Sequence, residues 1–584
     1  SQSVAAASSI QPLRVDLPDL SCSEAASIDA ADPLSAGASA DCAGESRELR
    51  VDLPPVRGSG NSGTTVQQPT HIASAAADPA YVDPPSGDGG GSDAVPGGGF
   101  WALRSGEAAQ LLDSAYSEAV SWKRNLFIVP FGAEGEDFVK ELSRLIGLFT
   151  DGSGARAFAW SAVVVACHLL LQRPFNTSAA ADHRKFLRKR LSLWSAGNLS
   201  ALLRESRCIQ AHLPMPHSGG SAGGGLDDVQ FAKLVYGDRL GTAAHYVEEG
   251  GGGGVLSLSS IVDGQTVLET LRAKHPDPVP PEPSVLLPDG PPPPDNVLYE
   301  AITSTKVRAT IMAMKGAAGP SALDSEAWRR MASMYGAASK ALCTSLAHMA
   351  RCLCVEEIDP SHLRAFLAGR LIPLDKQPGV RPIAIGEVFR RVVGKVIMAV
   401  IERDVAAVTV PRQLCVGVPS ACEVAVQALT GLYERDEDTA ILLVDASNAF
   451  NALNRAAAIN NIPKVCPAAG RVFVNTYQAD IPLYLDGGEV LYSREGTCQG
   501  DPLAMAFYAL ATVPLAAQLG SASESTAQIW YADDDAAADK IQPLRRYWSA
   551  IEEAGPQYGY YPNAKKTVLL VRPHLLAEAQ EAFA

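Results

Sequence analysis

Apolar positions along this chain repeat with two different rhythms. From residue 100 to about 207 the spacing is helical: Phe138, Leu142, Leu145, Ile146 and Phe149 recur every three to four positions, which predicts an amphipathic helix with one buried stripe. From residue 296 to about 571, helical patterns alternate with short apolar runs and are punctuated by glycine and proline, as in an α+β domain. Two of the short runs, Ile-Leu-Leu-Val at 441–444 and Ile-Trp-Tyr at 529–531, have the length and composition of buried strands. Each runs into acid. Asp445 ends the first, and Ala532-Asp533-Asp534 reads as a tight turn after the second. A helix is expected over 448–459, directly after Asp445.

The remaining stretches divide the chain. Residues 1–99 are rich in Ala, Ser, Gly, Pro and Asp and poor in aromatics, so they bury too little apolar surface to offset their ordering entropy and are expected to be disordered. Leu-Arg-Val-Asp-Leu-Pro occurs there twice, at 13–18 and 49–54, which reads as a duplicated docking peptide or as drift in a tail. Residues 58–65 superficially match a phosphate-binding loop but lack its lysine and preceding strand. Glycine-rich linkers at 218–225 and 250–254 flank a helical segment around 231–247. Proline makes 276–295 a stiff, extended connector. The expected plan is a tail over 1–99, a helical region over 100–275, the connector over 276–295, the α+β domain over 296–571 and a short tail over 572–584.

Composition narrows the class. The net charge of −15 over 584 residues argues against nucleic-acid binding at first sight, but most of the acidic excess precedes residue 296. Arg364, Arg370, Lys376, Arg381, Arg390, Arg391, Lys395 and Arg403 form a locally basic stretch, which suits a polyphosphate substrate beside an acidic metal site. His183-Arg-Lys-Phe-Leu-Arg-Lys-Arg190 is a second basic cluster, either a grip for RNA or a solvated helix face. The eleven cysteines include no C-x-x-C; Cys352 with Cys354, and Cys208 with His212 and His217, do not match zinc-ligand spacing. Thiols of this kind point to a reduced, intracellular location, nucleus or cytoplasm. The longest apolar run, 162–171, is too short to cross a membrane and contains His168, and the segment that begins at Ser1 has no secretory pattern. No membrane partner is expected.

The chemistry lies in the acids. A carboxylate at a strand end is held rigidly and offers hard oxygen to Mg²⁺, although helix N-capping is the plain alternative for Asp445. Adjacent carboxylates at a turn repel each other unless a cation screens them, which favours a metal at Asp533 and Asp534. Asp535 and Asp539 extend the acidic run.

Three segments in this order, Asp445-Ala-Ser-Asn-Ala-Phe450, Gln499-Gly-Asp-Pro-Leu503 and Tyr531-Ala-Asp-Asp534, resemble successive palm motifs of reverse transcriptases of the non-LTR retrotransposon and group II intron type. Lys315-Gly-Ala-Ala-Gly-Pro-Ser-Ala-Leu-Asp324, Leu371-Ile-Pro-Leu-Asp-Lys376 with Val380-Arg-Pro-Ile383, and Asn563-Ala-Lys-Lys-Thr567 resemble further segments of that family, so the likeness spans residues 300–571. It implies a right-hand palm and fingers, with a small antiparallel sheet and helices on one face. It also implies RNA-templated DNA synthesis as part of a retrotransposon-encoded protein. Asp445, Asp533 and Asp534 would be catalytic ligands of two Mg²⁺ ions, with Mn²⁺ able to substitute. Lys376 and Arg381 would hold phosphate oxygens, Gln499 and Gly500 would lie along the nucleotide and template, and Lys566 would contact pyrophosphate. Phe450 would sit beneath the sugar and exclude a 2′-hydroxyl; a core phenylalanine is the alternative. The implied partners are an RNA template, a DNA or RNA primer and dNTPs.

Three residues depart from the family pattern: Asp501 replaces a small or neutral residue, Asp535 an apolar one, and Asn451 an acid. If buried, Asp535 needs a partner or a raised pKa. A catalytically inactive, element-derived RNA-binding protein and an RNA-directed RNA polymerase stand as alternatives. An isoprenoid-synthase-like diphosphate site is disfavoured, because the acids follow a strand rather than lie on long helices.

Overall fold

The computed structural model describes residues 99–102, 105–151, 154–174, 180–213, 254–376 and 379–583. The expected disordered tail before residue 99, the linkers at 218–225 and 250–253 and the helix around 231–247 lie outside the described residues.

The α+β expectation holds for what is described. The strands among the described residues are β1 (Ile261–Val262), β2 (Gln265–Thr266), β3 (Gly369–Asp375), β4 (Val380–Gly386), β5 (Ala440–Val444), β6 (Ile481–Tyr484), β7 (Val490–Ser493), β8 (Ala527–Tyr531), β9 (Asp534–Asp539) and β10 (Val568–Leu570). Apart from the small β1–β2 hairpin, they form two sheets of order β10-β5-β9-β8 and β4-β3-β6-β7. The first is antiparallel throughout. The second, unforeseen in the sequence, is mixed, because β3 runs parallel to β6.

The antiparallel sheet has helices on both faces, which corrects the one-sided arrangement expected. Strand alternation explains why. Leu442, Val444, Trp530 and Ala537 enter the main core, against which the helix Ile541–Ala554 packs. Ile441 and Ala538 point the other way and meet Tyr433, Leu429 and Leu432 of the helix Ala421–Arg435. That second cover is partial, and Leu443 stays 43% exposed.

The helical expectation around Phe138 is met. Phe138, Leu142, Leu145, Ile146 and Phe149 are fully buried on the helix Ala133–Thr150. These early helices share one core with the later ones: Trp160 stacks on Phe389 at 4.7 Å and meets Phe366 at 4.8 Å. The 276–295 segment is extended and laid on the α+β part. Glu495 accepts from the Val279 N–H at 2.7 Å, and Asn461 accepts from the Leu287 N–H at 2.9 Å. Among the described residues, Gly154–Leu171 and Ala504–Ala522 are apolar and long enough to cross a membrane, but 78% and 67% of these stretches are buried inside the molecule.

The helix expected over 448–459 is broken. A single turn, Ala449–Ala452, is followed by a separate helix, Arg455–Val465, whose N-terminus is capped by Asn454 accepting from Ala457 at 2.8 Å. Asn448, expected as the first helical residue, is the N-cap of the single turn, and Asn454, expected inside the helix, is the N-cap of the second.

Candidate active site

Register brings the acidic strand ends together. β5 and β9 pair as far as Val444↔Asp535, so Asp445 and Asp534 are the residues that follow and precede the last pair of that ladder. Val444 and Asp535 point into the core, whereas Asp534 is exposed and Asp445 is half-buried. Asp533 lies in the two-residue turn between β8 and β9. Its carboxyl is pushed up to about 7, first by burial, then by Asp534 and, more weakly, by Asp445. Among the described residues no three His, Cys, Asp or Glu side chains form a ready-made metal cage. Mg²⁺ sites that process phosphates are built from one or two carboxylates, with substrate oxygens and water completing the shell. The all-oxygen, mutually repelling donors here fit that pattern.

The turn is clamped by residues the sequence did not single out. Ala532 has a left-handed backbone, φ 55°. Gln413, buried, accepts from the Ala532 N–H at 2.7 Å and donates to its carbonyl at 3.0 Å. Tyr560 donates to the Asp533 carbonyl at 3.0 Å. A lone glutamine more than a hundred residues away carries no local signal of this role.

The Asn-x-x-Lys-Thr segment closes on the other strand end. The Asn563 N–H donates to the Asp445 carbonyl at 2.8 Å, and the Lys566 N–H returns to the Asn563 carbonyl at 3.0 Å. Lys566 is thereby brought to the turn beside Asp445. Phe450, half-buried, packs against Tyr508 with ring centroids 4.7 Å apart and the planes tilted.

Lys376 and Arg381 lie on the β3–β4 hairpin, Arg381 paired with Leu374. The Gln499–Gly500 loop packs against the same hairpin. Gly500, φ 104°, is so close to β4 that a Cβ would lie 2.7 Å from the Ala384 carbonyl oxygen. This loop is held by two buried arginines. Arg455 donates to the carbonyls of Ser493 at 2.8 Å, Glu495 at 2.9 Å and Gly496 at 3.1 Å. Arg390 pairs with Asp501 at 2.6 Å, and Tyr477 donates to the same carboxylate at 3.0 Å.

The departures therefore have structural partners. Asp501 completes the Arg390 pair and accepts from the Leu503 N–H at 3.0 Å at the start of the helix Ala504–Ala522. Asp535 is 2% exposed, accepts from Tyr547 at 2.8 Å and is pushed up to about 8 by burial. It meets both conditions that a buried acid required. Asn451, buried, donates to Asn448 at 2.9 Å.

The basic cluster at 183–190 divides. Arg188 pairs with Glu134, and Lys189 and Arg190 pair with Glu205, Arg190 being fully buried. Arg184 and Lys185 are exposed.

The loop at 315–324 is fastened by Glu387, fully buried, which accepts from the Ser321 N–H and, at 2.7 Å, from its hydroxyl. Burial pushes Glu387 up to about 7, opposed by Ser321 and more weakly by Arg124 and Arg391. The folded protein thus keeps a proton that the unfolded chain has lost, so this group lowers stability as pH rises from about 4.5 to about 7. Glu387→Gln should flatten that window. Melting curves of both proteins across it are expected to show the wild-type advantage shrinking as pH rises.

No family model matches this chain, and no curated protein matches it. Among solved structures it is similar to apo telomerase from Candida tropicalis truncated from the C-terminal domain, with 14% identity and a TM-score of 0.29. The match covers 41% of this chain and 64% of the telomerase chain, just under two thirds of it. A likeness of that size defines neither the fold nor the activity of this protein.

Proposed function

We propose that the protein is an RNA-templated DNA polymerase of the reverse-transcriptase kind, encoded by a mobile element, which adds dNTPs to a primer 3′-hydroxyl. The single observation that supports this reading is that Asp445 follows β5 while Asp533 and Asp534 lie at the turn into the neighbouring β9, with Asp533 in electrostatic reach of both other acids. Asp445 and Asp533, assisted by Asp534, are the residues that would hold Mg²⁺. When bound, the ions would lower the pKa of the attacking hydroxyl and neutralise charge on the triphosphate.

The chain's own contribution is placement, which dominates in phosphoryl transfer. Gln413 and Tyr560 fix the turn that carries Asp533. The hairpin bearing Lys376 and Arg381 offers cations for phosphate oxygens, and an arginine fork suits that geometry. The Gln499–Gly500 loop packs against that hairpin and would line the nucleotide pocket. Phe450 would meet the sugar.

Primer extension on an RNA template tests the reading. The purified chain should extend a DNA primer with dNTPs and Mg²⁺, and use rNTPs poorly. Phe450→Val should raise rNTP use by about tenfold to a hundredfold, since one pocket group is worth about 1–3 kcal/mol in discrimination. A wild type that prefers rNTPs is an RNA polymerase. One that binds RNA yet never extends is a binding protein.

A further inference from the structure

Phe450 is a gate only if its ring cannot retreat, and the packing shows what stands behind it. Its backbone is fixed on the single turn Ala449–Ala452, entered through Asn448 at φ 50°. The Thr497 N–H donates to the Phe450 carbonyl at 2.6 Å. Gly496 presses so close that a Cβ there would lie 2.0 Å from the Phe450 carbonyl oxygen. With the backbone immobile, only the side chain can yield, and it rests on Tyr508, with ring centroids 4.7 Å apart and planes at 31°.

Tyr508 is fully buried near the start of the helix Ala504–Ala522, the helix that follows the Gln499–Gly500 loop. Its hydroxyl has no hydrogen-bond partner among the described residues. A buried hydroxyl without a partner is a cost to the fold, so hydrogen bonding does not account for this residue. Its ring does: a rigid aromatic plane resists displacement, whereas an aliphatic side chain would let Phe450 change rotamer. Tyr508 lies within electrostatic reach of Asp533 and Asp534.

Resting on the polymerase reading, we propose that Tyr508 is a positioning residue for sugar selection: its ring holds Phe450 against the 2′ position of the incoming nucleotide. The hydroxyl is dispensable for this role and the aromatic plane is not.

The test uses the full chain on an RNA template with a primer ending in a 3′-dideoxynucleotide, so that binding of dCTP and CTP is read without chemistry. Wild type should favour dCTP. Tyr508→Phe should keep that ratio. Tyr508→Leu should cut it about tenfold, chiefly by tighter CTP binding, with dCTP affinity within about twofold of wild type. Where Leu lowers the melting temperature, Tyr508→Met, equally aliphatic but unbranched and able to fill irregular gaps, reads the same ratio in a sound fold. In a Phe450→Ala background, Tyr508→Leu should add nothing, because both act through one ring. An unchanged ratio in both Leu and Met variants, or equal losses of dCTP and CTP, overturns the inference and leaves Tyr508 a core residue. A wild type that binds neither nucleotide overturns the polymerase reading, and this inference falls with it.

Discussion

Asp533→Asn is expected to reduce primer extension by about a thousandfold or more while leaving the fold intact. The magnitude is that of removing one preorganised charge from a phosphoryl-transfer site, where electrostatic stabilisation supplies most of the rate enhancement. Stability should move the other way. Asp533 lies in a turn whose backbone is bound by Gln413 and Tyr560, and neither bond involves its carboxylate. That carboxylate is crowded by burial, by Asp534 and by Asp445. A neutral isostere relieves the crowding, so the variant should melt at or above the wild-type temperature with EDTA present. Extension assays paired with melting curves check both signs. An inactive variant that also unfolds early would show that Asp533 serves the fold.

The second large effect concerns the pair beneath the Gln499–Gly500 loop. Arg390 and Asp501 side chains are 6% and 3% exposed and 2.6 Å apart. Removing one partner of such a pair strands a buried charge and costs about 3–5 kcal/mol. Arg390→Met is therefore expected to lower unfolding stability by about that much and to loosen the loop, since Arg390 also donates to the Leu367 carbonyl. Arg390→Met with Asp501→Asn should recover a large part of the loss. Asn carries no charge; its Oδ1 can still accept from the Leu503 N–H, while its amide nitrogen takes the place of the oxygen that Tyr477 now meets and can donate to that hydroxyl. Urea unfolding of the two single variants and the double variant measures the coupling. If the double variant is no more stable than Arg390→Met, the pair is not the source of the loss.

Asp501 illustrates what a one-dimensional reading misjudges. In sequence it is an acid in a place expected to be neutral. In the fold it is the counter-ion of an arginine more than a hundred residues away. Asp535 was readable further, as an acid where the resemblance expects an apolar residue, but its partner Tyr547 lies on the next helix and no local pattern announces it. Arg190 sat in a run of cations that reads as a grip for RNA or as a solvated face, yet the helix buries it against Glu205.

The ends of β5 and β8 and the order of the acids that follow them were determined by the sequence alone, because a short apolar run that meets charge must stop near the surface. The buried stripe from Phe138 to Phe149 was legible from its helical period. Tertiary structure alone decided the rest: that β5 and β9 are neighbours, that Gln413 and Tyr560 hold the turn between β8 and β9, that Arg390 faces Asp501, and that Tyr508 lies behind Phe450. Those contacts join residues distant along the chain, and such partners are chosen by close packing and by satisfying buried polar groups, neither of which leaves a local pattern.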